Sequence, residues 1–170
     1  MENTTTPINA MDTQYHLRID TPVGPLIITG TDTHINAVSF TDEPEETFLE
    51  APPLLLECAQ QLHEYFAGER RVFELPLAQP GTDFQQSVWD QLMHIPYGQT
   101  ITYMQQAKRM NNLRSIRAVA STNGKNALAI IVPCHRVVGA NGVLTGYAGG
   151  LWRKRWLLDH ERGDLFTGLR

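Results

Sequence analysis

Ile131-Val132-Pro133-Cys134-His135-Arg136-Val137-Val138 sets a cysteine directly beside a histidine and an arginine, after a short, apolar, strand-like stretch. Proline fixes its own φ, so the backbone enters the cysteine on a restricted path. A thiol becomes a nucleophile when its proton is taken and its anion is stabilised, and an imidazole and a guanidinium supply both needs. Consecutive side chains on an extended strand point to opposite faces, so contact between Cys134 and His135 requires a turn here or a bridging water. A third group has to orient the imidazole. Glu161 and Asp159 near the C-terminus are candidates, with His160 between them. On these residues alone a buried structural cysteine stands level with the reactive thiol, because burial is the usual fate of a free thiol.

Charge is distributed unevenly around this run. Residues 1–90 hold three Lys/Arg against fifteen Asp/Glu, whereas residues 91–158 hold nine Lys/Arg and no acid. A 68-residue acid-free stretch in a chain with 18 acids points to two parts with different partners, the basic part facing a polyanion. At 170 residues and 42% hydrophobic, the chain is long enough for one core or two small ones. No secretory signal opens it and no apolar run reaches membrane-spanning length, so no membrane partner is expected. Cys58 and Cys134 make no disulfide framework, which suits a reducing cytoplasm. Adjacent Cys-His is poor metal-ligand spacing, and the six histidines are scattered. Neither a metal nor a cofactor is expected.

Residues 1–12 read as a disordered tail. Alternation at Tyr15, Leu17 and Ile19, a turn at 22–25, and apolar runs at 26–30 and 37–40 predict an antiparallel meander. Asp42–Glu50 is an acidic loop or short helix. Leu55, Cys58, Leu62 and Phe66 are spaced for a helix that Gly68 stops. Phe73, Leu75 and Leu77 alternate again, predicting a further strand. Pro80-Gly81 marks a boundary between domains at 13–80 and 81–170.

The second half reads mostly helical. Thr82 or Asp83 caps a helix carrying Phe84, Val88, Leu92 and Ile95, and Pro96-Tyr97-Gly98 ends it. Helices from Thr102 to Met110 and over about Ser115–Thr122, joined by a turn at Asn111-Asn112, have the outline of a helix-turn-helix. Arg114 and Arg117 lie near the start of its second helix.

Pro133-Cys134-His135-Arg136-Val137 matches the signature of the O6-alkylguanine-DNA alkyltransferases. Thr82–Trp89, Ile95–Thr100, Arg117-Ala118-Val119, Gly146–Gly150 and Lys154–Glu161 resemble further motifs of that family, in family order. The resemblance implies an α/β (α+β) chain. Its N-terminal domain would hold a small antiparallel sheet and a helix with a ribonuclease H-like outline. A mostly helical C-terminal domain would carry a winged-helix-like helix-turn-helix.

The resemblance also implies direct, single-use DNA repair. The thiolate of Cys134 attacks the alkyl carbon on O6 of guanine, or O4 of thymine, in a flipped-out base and keeps the group. His135 deprotonates Cys134 through a water, Glu161 orients His135, and Asn126 braces the turn before the cysteine. Double-stranded DNA carrying O6-alkylguanine is the partner, bound through its minor groove. The protein is read as a monomer that clusters on DNA in some circumstances. Arg117 replaces the extruded base, Tyr103 rotates the 3′ phosphate, and Ala118, Ala120, Ser121 and Arg114 complete the DNA-binding set. Tyr147, Ala148, Gly149, Val137, Pro133 and Asn123 line the substrate pocket. Trp152 and Trp156 read as core.

The sequence departs from the family at Ala120, where glycine is common, at Ile116, where alanine is common, and in lacking a proline before the second helix. Two rival functions accompany this reading. One is a lesion-binding relative without transfer activity, which would replace the cysteine. The other is a helix-turn-helix regulator that uses Cys134 as a redox sensor.

Overall fold

The computed structural model describes residues 13–44 and 50–163, so the tail read over 1–12 and part of the acidic stretch 42–50 lie outside the described residues. The chain divides into two units, Met1–Pro80 and Gly81–Arg170. Among the described residues no helix is long and apolar enough to cross a membrane.

The first unit is built on a three-stranded antiparallel meander. It comprises β1 (Tyr15–Ile19), β2 (Leu26–Gly30) and β3 (Ile35–Phe40), with β2 in the middle. Pairing of Leu17 with Ile28, and of Ile28 with Val38, puts one apolar set on one face. The β1–β2 turn closes with the Thr21 hydroxyl donating to the Gly24 carbonyl at 2.6 Å, and Gly24 takes φ +95°. Helix α1 (Pro53–Phe66) contacts all three strands. Leu26, Ile28, Ile35, Leu55, Cys58, Leu62 and Tyr65 have no exposed surface. Each large apolar side chain so buried contributes about 1.5–3 kcal/mol. Helix and sheet meet closely at Gly30, where an added Cβ would lie 2.5 Å from the His34 carbonyl oxygen and 3.2 Å from Leu55 Cδ1.

The alternation at Phe73, Leu75 and Leu77 does not produce the expected strand. Only Leu77 makes a bridge, parallel, to Ile35. Upstream, Gln61 on α1 uses its side chain in place of a neighbouring strand. Its amide donates to the Glu74 carbonyl at 3.1 Å, and its oxygen accepts the Glu74 N–H at 2.9 Å. With these backbone groups satisfied, the segment needs no ladder.

The second unit begins with α2 (Asp83–Leu92). Of the two candidate caps the first is used: Thr82 accepts from Gln85 N–H, and the Gln85 side chain accepts from Thr82 N–H. Helix α3 (Tyr103–Arg109) is capped in the same way by Thr102 and Gln105. A 3-10 turn, Leu113–Ser115, leads into α4 (Ile116–Gly124), so the second helix starts one residue later and runs two further than its pattern suggested. The α3–α4 pair is fastened by a reciprocal amide contact. Gln106 Nε2 donates to Asn123 Oδ1 at 3.0 Å, and Asn123 Nδ2 donates to Gln106 Oε1 at 2.7 Å. Trp89 Nε1 on α2 donates to the Thr122 carbonyl at 3.0 Å and ties the first helix to the same pair. A short parallel pairing of β4 (Ile101–Thr102) with β5 (Val137–Val138) joins the start of α3 to the chain just after Cys134. Helix α5 (Leu151–Arg162) closes the unit and is stopped at Gly163 in the left-handed region.

Gln106 is fully buried, so Asn123→Ala strips both of its amide contacts with no solvent to replace them. The expected loss is about 2 kcal/mol of stability, read as a lower urea midpoint with an unchanged slope.

Candidate active site

Cys134 lies at the end of a knotted stretch of backbone. Ile131 N–H bonds to the Ala129 carbonyl at 2.8 Å, and Cys134 N–H bonds to the Val132 carbonyl at 2.8 Å. Ile130 is held at φ +72°, a left-handed conformation that a β-branched residue adopts at a cost of roughly 1–2 kcal/mol. The expected strand over Ile131 and Val132 is therefore a series of tight turns.

Asn126 holds this stretch together. Its Nδ2 donates to the Val132 carbonyl at 2.8 Å and to Cys134 Sγ at 3.4 Å, and its Oδ1 accepts from Leu128 N–H at 3.1 Å. Those partners fix which end of the amide is nitrogen, because a backbone N–H cannot face a donor.

Residues Cys134–Arg136 form one turn of 3-10 helix. Three residues per turn send three successive side chains in three directions. This supplies the turn that the Cys134–His135 adjacency demanded. It also sends Arg136 elsewhere than the expected place beside the thiol. Arg136 Nε donates to Glu161 Oε1 at 2.8 Å, its Nη2 to Glu161 Oε2 at 3.3 Å, and its Nη1 to the Ile95 carbonyl at 2.7 Å. His135 Nε2 meets Glu161 Oε2 at 2.6 Å, with both side chains fully buried. Glu161 is thus the carboxylate paired with the imidazole. Asp159, the other candidate, lies buried two residues before it on α5.

The electrostatics give these groups distinct states. Burial works against the Glu161 charge, but the His135 contact and the Arg136 guanidinium outweigh it and hold the carboxyl well below the usual carboxylate range. Burial lowers His135 more than Glu161 raises it, so the imidazole is neutral at neutral pH. Opposite an ionised carboxylate, which only accepts, Nε2 carries the proton. His135 Nδ1 is buried and has no hydrogen-bond partner among the described residues. It therefore presents a bare lone pair.

Burial pushes the Cys134 thiol up, while the Asn126 hydrogen bond, Lys154 and its own backbone pull it down. The cation acting on the sulfur is thus Lys154, which the sequence reading did not single out. Lys154 is 1% exposed, and its Nζ donates to the Thr145 carbonyl at 2.9 Å and lies 5.8 Å from the centre of the Tyr103 ring. Its only sequence signal was membership of the Lys154–Glu161 motif. Burial, together with charge at Cys134 and Glu161, raises the Tyr147 phenol well above its usual range, so its hydroxyl stays protonated.

The other expected residues fall into three groups. Pro133, Val137 and Gly149 are buried, Tyr147 is half-buried and Ala148 is exposed. Arg114 is exposed on the turn before α4, and Arg117, Ala118 and Ser121 are exposed on α4 with Ala120 half-buried. Tyr103 begins α3, and its hydroxyl donates to the Thr145 carbonyl at 3.3 Å. Two expectations are corrected. Asn123 commits both ends of its amide to Gln106, so its polar atoms serve the helix pair and not the pocket. Trp152 is 57% exposed and not core, because it falls in the first turn of α5, outside the buried face of that helix. Arg153 stacks over its ring at 4.7 Å. Trp156 is half-buried and stacks on His160 at 4.9 Å.

Family models match both halves of the chain. Residues 14–79 match the ribonuclease-like domain of 6-O-methylguanine DNA methyltransferase, and residues 83–163 match its DNA-binding domain. A methylated-DNA–protein-cysteine methyltransferase of Methanosarcina acetivorans is 44% identical over 152 residues, covering 86% of this chain and 97% of that protein. The constitutive methylated-DNA–protein-cysteine methyltransferase of Bacillus subtilis is 43% identical over 157 residues, covering 87% and 95%. Among solved structures, the Mycobacterium tuberculosis OGT in complex with DNA superposes with a TM-score of 0.80 at 43% identity, covering 88% of this chain and 93% of that one.

Removing the buried cation with Lys154→Met takes away a group that favours the Cys134 thiolate, so the thiol moves further up. The rate of Cys134 alkylation by iodoacetamide, followed against pH, is expected to rise at higher pH than in the wild type.

Proposed function

Because the chain belongs to the 6-O-methylguanine DNA methyltransferase family, we propose that Cys134 is the residue on which its transfer reaction ends. The protein is a methylated-DNA–protein-cysteine methyltransferase that repairs DNA by direct reversal, moving an alkyl group from the base to a cysteine of its own. Cys58 is the only other thiol in the chain; it has no exposed surface, and burial and Glu57 push it up to about 12. That leaves Cys134 as the acceptor.

One observation carries the mechanism: His135 offers an unpartnered Nδ1 on the side of the ring opposite the Nε2–Glu161 contact. Nδ1 takes the Cys134 proton through a water. The thiolate attacks the alkyl carbon on O6 of guanine, the S–C bond forms as the C–O6 bond breaks, and the electron pair leaves with the base. A proton equal to the one lost by the thiol returns to guanine N1. Glu161 stabilises the imidazolium that forms in between. Asn126 holds the sulfur in line while leaving its lone pairs open to attack. No step regenerates the thiol, so each molecule acts once. Thymine alkylated on O4 presents the same chemistry.

The target atom is stacked inside the duplex, so the base must leave the stack. Arg117, exposed on α4 among Ala118, Ala120 and Ser121, fills the gap. Small side chains let that helix enter a minor groove only about 6 Å wide. Minor-groove contacts carry little sequence information, which suits a protein that scans any sequence. Tyr103 turns the 3′ phosphate, Arg114 contacts the backbone, and Tyr147, Ala148 and Gly149 border the base with Pro133 and Val137. The protein acts as a monomer in the cytoplasm.

The decisive experiment mixes the protein with a duplex carrying one O6-methylguanine and maps the peptides by mass. A single methyl on Cys134 is expected, absent in Cys134→Ser; an unmodified Cys134 beside repaired DNA overturns the assignment. For Arg117→Ala, repair of duplex is expected to slow far more than reaction with free O6-benzylguanine, which needs no flipping. Equal losses would remove Arg117 from that role.

A further inference from the structure

We infer that Arg136 is a positioning residue of this reaction: by forking onto Glu161 while tethered to the Ile95 carbonyl, it dictates which nitrogen of His135 is free to take the thiol proton. The inference rests on Cys134 being the acceptor and His135 its base.

A carboxylate offers about four lone-pair directions, and Glu161 receives four donors. They are His135 Nε2 at 2.6 Å, Arg136 Nε at 2.8 Å, Arg136 Nη2 at 3.3 Å and Gly98 N–H at 3.1 Å. With those directions occupied, no place remains for a carboxylic proton, and Glu161 can only accept. The proton of the His135–Glu161 contact must then reside on Nε2, which leaves Nδ1 bare.

Without Arg136 the balance reverses. Glu161 would be a fully buried carboxylate facing a neutral imidazole and one backbone amide. A buried carboxyl with so little compensation takes up a proton. As an acid it would donate to Nε2, and the ring would place its own proton on Nδ1. The nitrogen turned away from Glu161 would then be a donor, unable to deprotonate the thiol. The direction of proton flow through His135 is therefore set by a guanidinium on the far side of Glu161.

The geometry asks for arginine. Two parallel N–H bonds reach the carboxylate while a third N–H, on Nη1, reaches Ile95 O at 2.7 Å from the other side of the same plane. An ammonium has no such fork. The tether also joins the relay to the turn that supplies Gly98 N–H. Gly98 takes φ +78°, and an added Cβ would lie 3.1 Å from the Glu161 carbonyl oxygen, so that turn is shaped to bring its backbone onto α5. The other ionisable groups acting on His135 or Cys134 are Lys154 and Tyr147, and neither donates to Glu161 through any hydrogen bond described above.

Two measurements on the full chain test this. The first is the His135 tautomer by nitrogen-15 NMR of the histidine-labelled protein, assigned with His135→Gln. Wild type is expected to show Nε2 protonated and Nδ1 bare, and Arg136→Met a protonated Nδ1. The second is a double-mutant cycle on the rate of methyl transfer from an O6-methylguanine duplex to Cys134. Arg136→Met alone is expected to slow transfer by roughly the 100-fold that a general base supplies. In a Glu161→Gln background the same change should cost less than about 2-fold, since both act through one contact. A wild-type tautomer in Arg136→Met, or equal losses in the two backgrounds, overturns the inference and leaves Arg136 as packing. If Arg136→Met does not fold, Arg136→Lys decides: slower transfer with Nδ1 protonated supports the inference, and a wild-type rate and tautomer reject it. Failure of the wild type to methylate Cys134 would instead reject the acceptor assignment.

Discussion

Burying the carboxylate of Glu161 is the constraint around which the second unit is arranged. An ionised group in an apolar interior is tolerated only when its lone pairs are met. The donors come from three separate places in the sequence: the turn after α2, the 3-10 turn at Cys134–Arg136, and through Arg136 the Ile95 carbonyl. Helix α5 contributes the carboxylate and buries Leu157 and Leu158 on the way to it. Breaking any one of these contacts leaves a charge exposed to low dielectric, so the segments are held in a common geometry by the need to satisfy one side chain.

A second constraint acts along the chain. Only Lys125 separates the end of α4 from Asn126, and Asn126 bonds both the backbone before the cysteine and the sulfur. The left-handed backbone at Ile130 is held in place by that clamp. The exposed face of α4 and the thiol are thereby linked through a short and over-determined segment. DNA engaged by Arg117 and Ala118 would meet a sulfur whose position relative to that helix is already fixed.

How much of this was legible depended on range. The meander of the first unit and the caps at Thr82 and Thr102 are local patterns, and the structure forms them where those patterns lie. Phe73–Leu77 has the same alternation without forming a strand, because its partner is the side chain of Gln61 on a helix, which no periodicity reports. At the site, the adjacency of Cys134 and His135 demanded a turn or a water, and the turn is there. The residues alone left Glu161 and Asp159 as alternatives, and the resemblance favoured Glu161. Arg136 was read as a neighbour of the thiol because sequence adjacency hides the 120° between successive 3-10 side chains. Lys154 went unread since its influence depends on α5 packing close to Cys134, and Trp152 was assigned to the core because aromatic spacing on a helix does not say where the buried face begins.

The burial of Cys58 gives the chain a property of a different kind. Its sulfur sits in the helix–sheet core of the first unit, with a thiol pushed up to about 12 and no exposed surface. Cys134 is the other sulfhydryl, and it is partly exposed. In the folded state the molecule carries one addressable sulfhydryl and one silent internal standard that denaturation reveals. The ratio of native to denatured thiol titre is then a direct count of unspent molecules in any preparation, obtained without DNA, label or substrate.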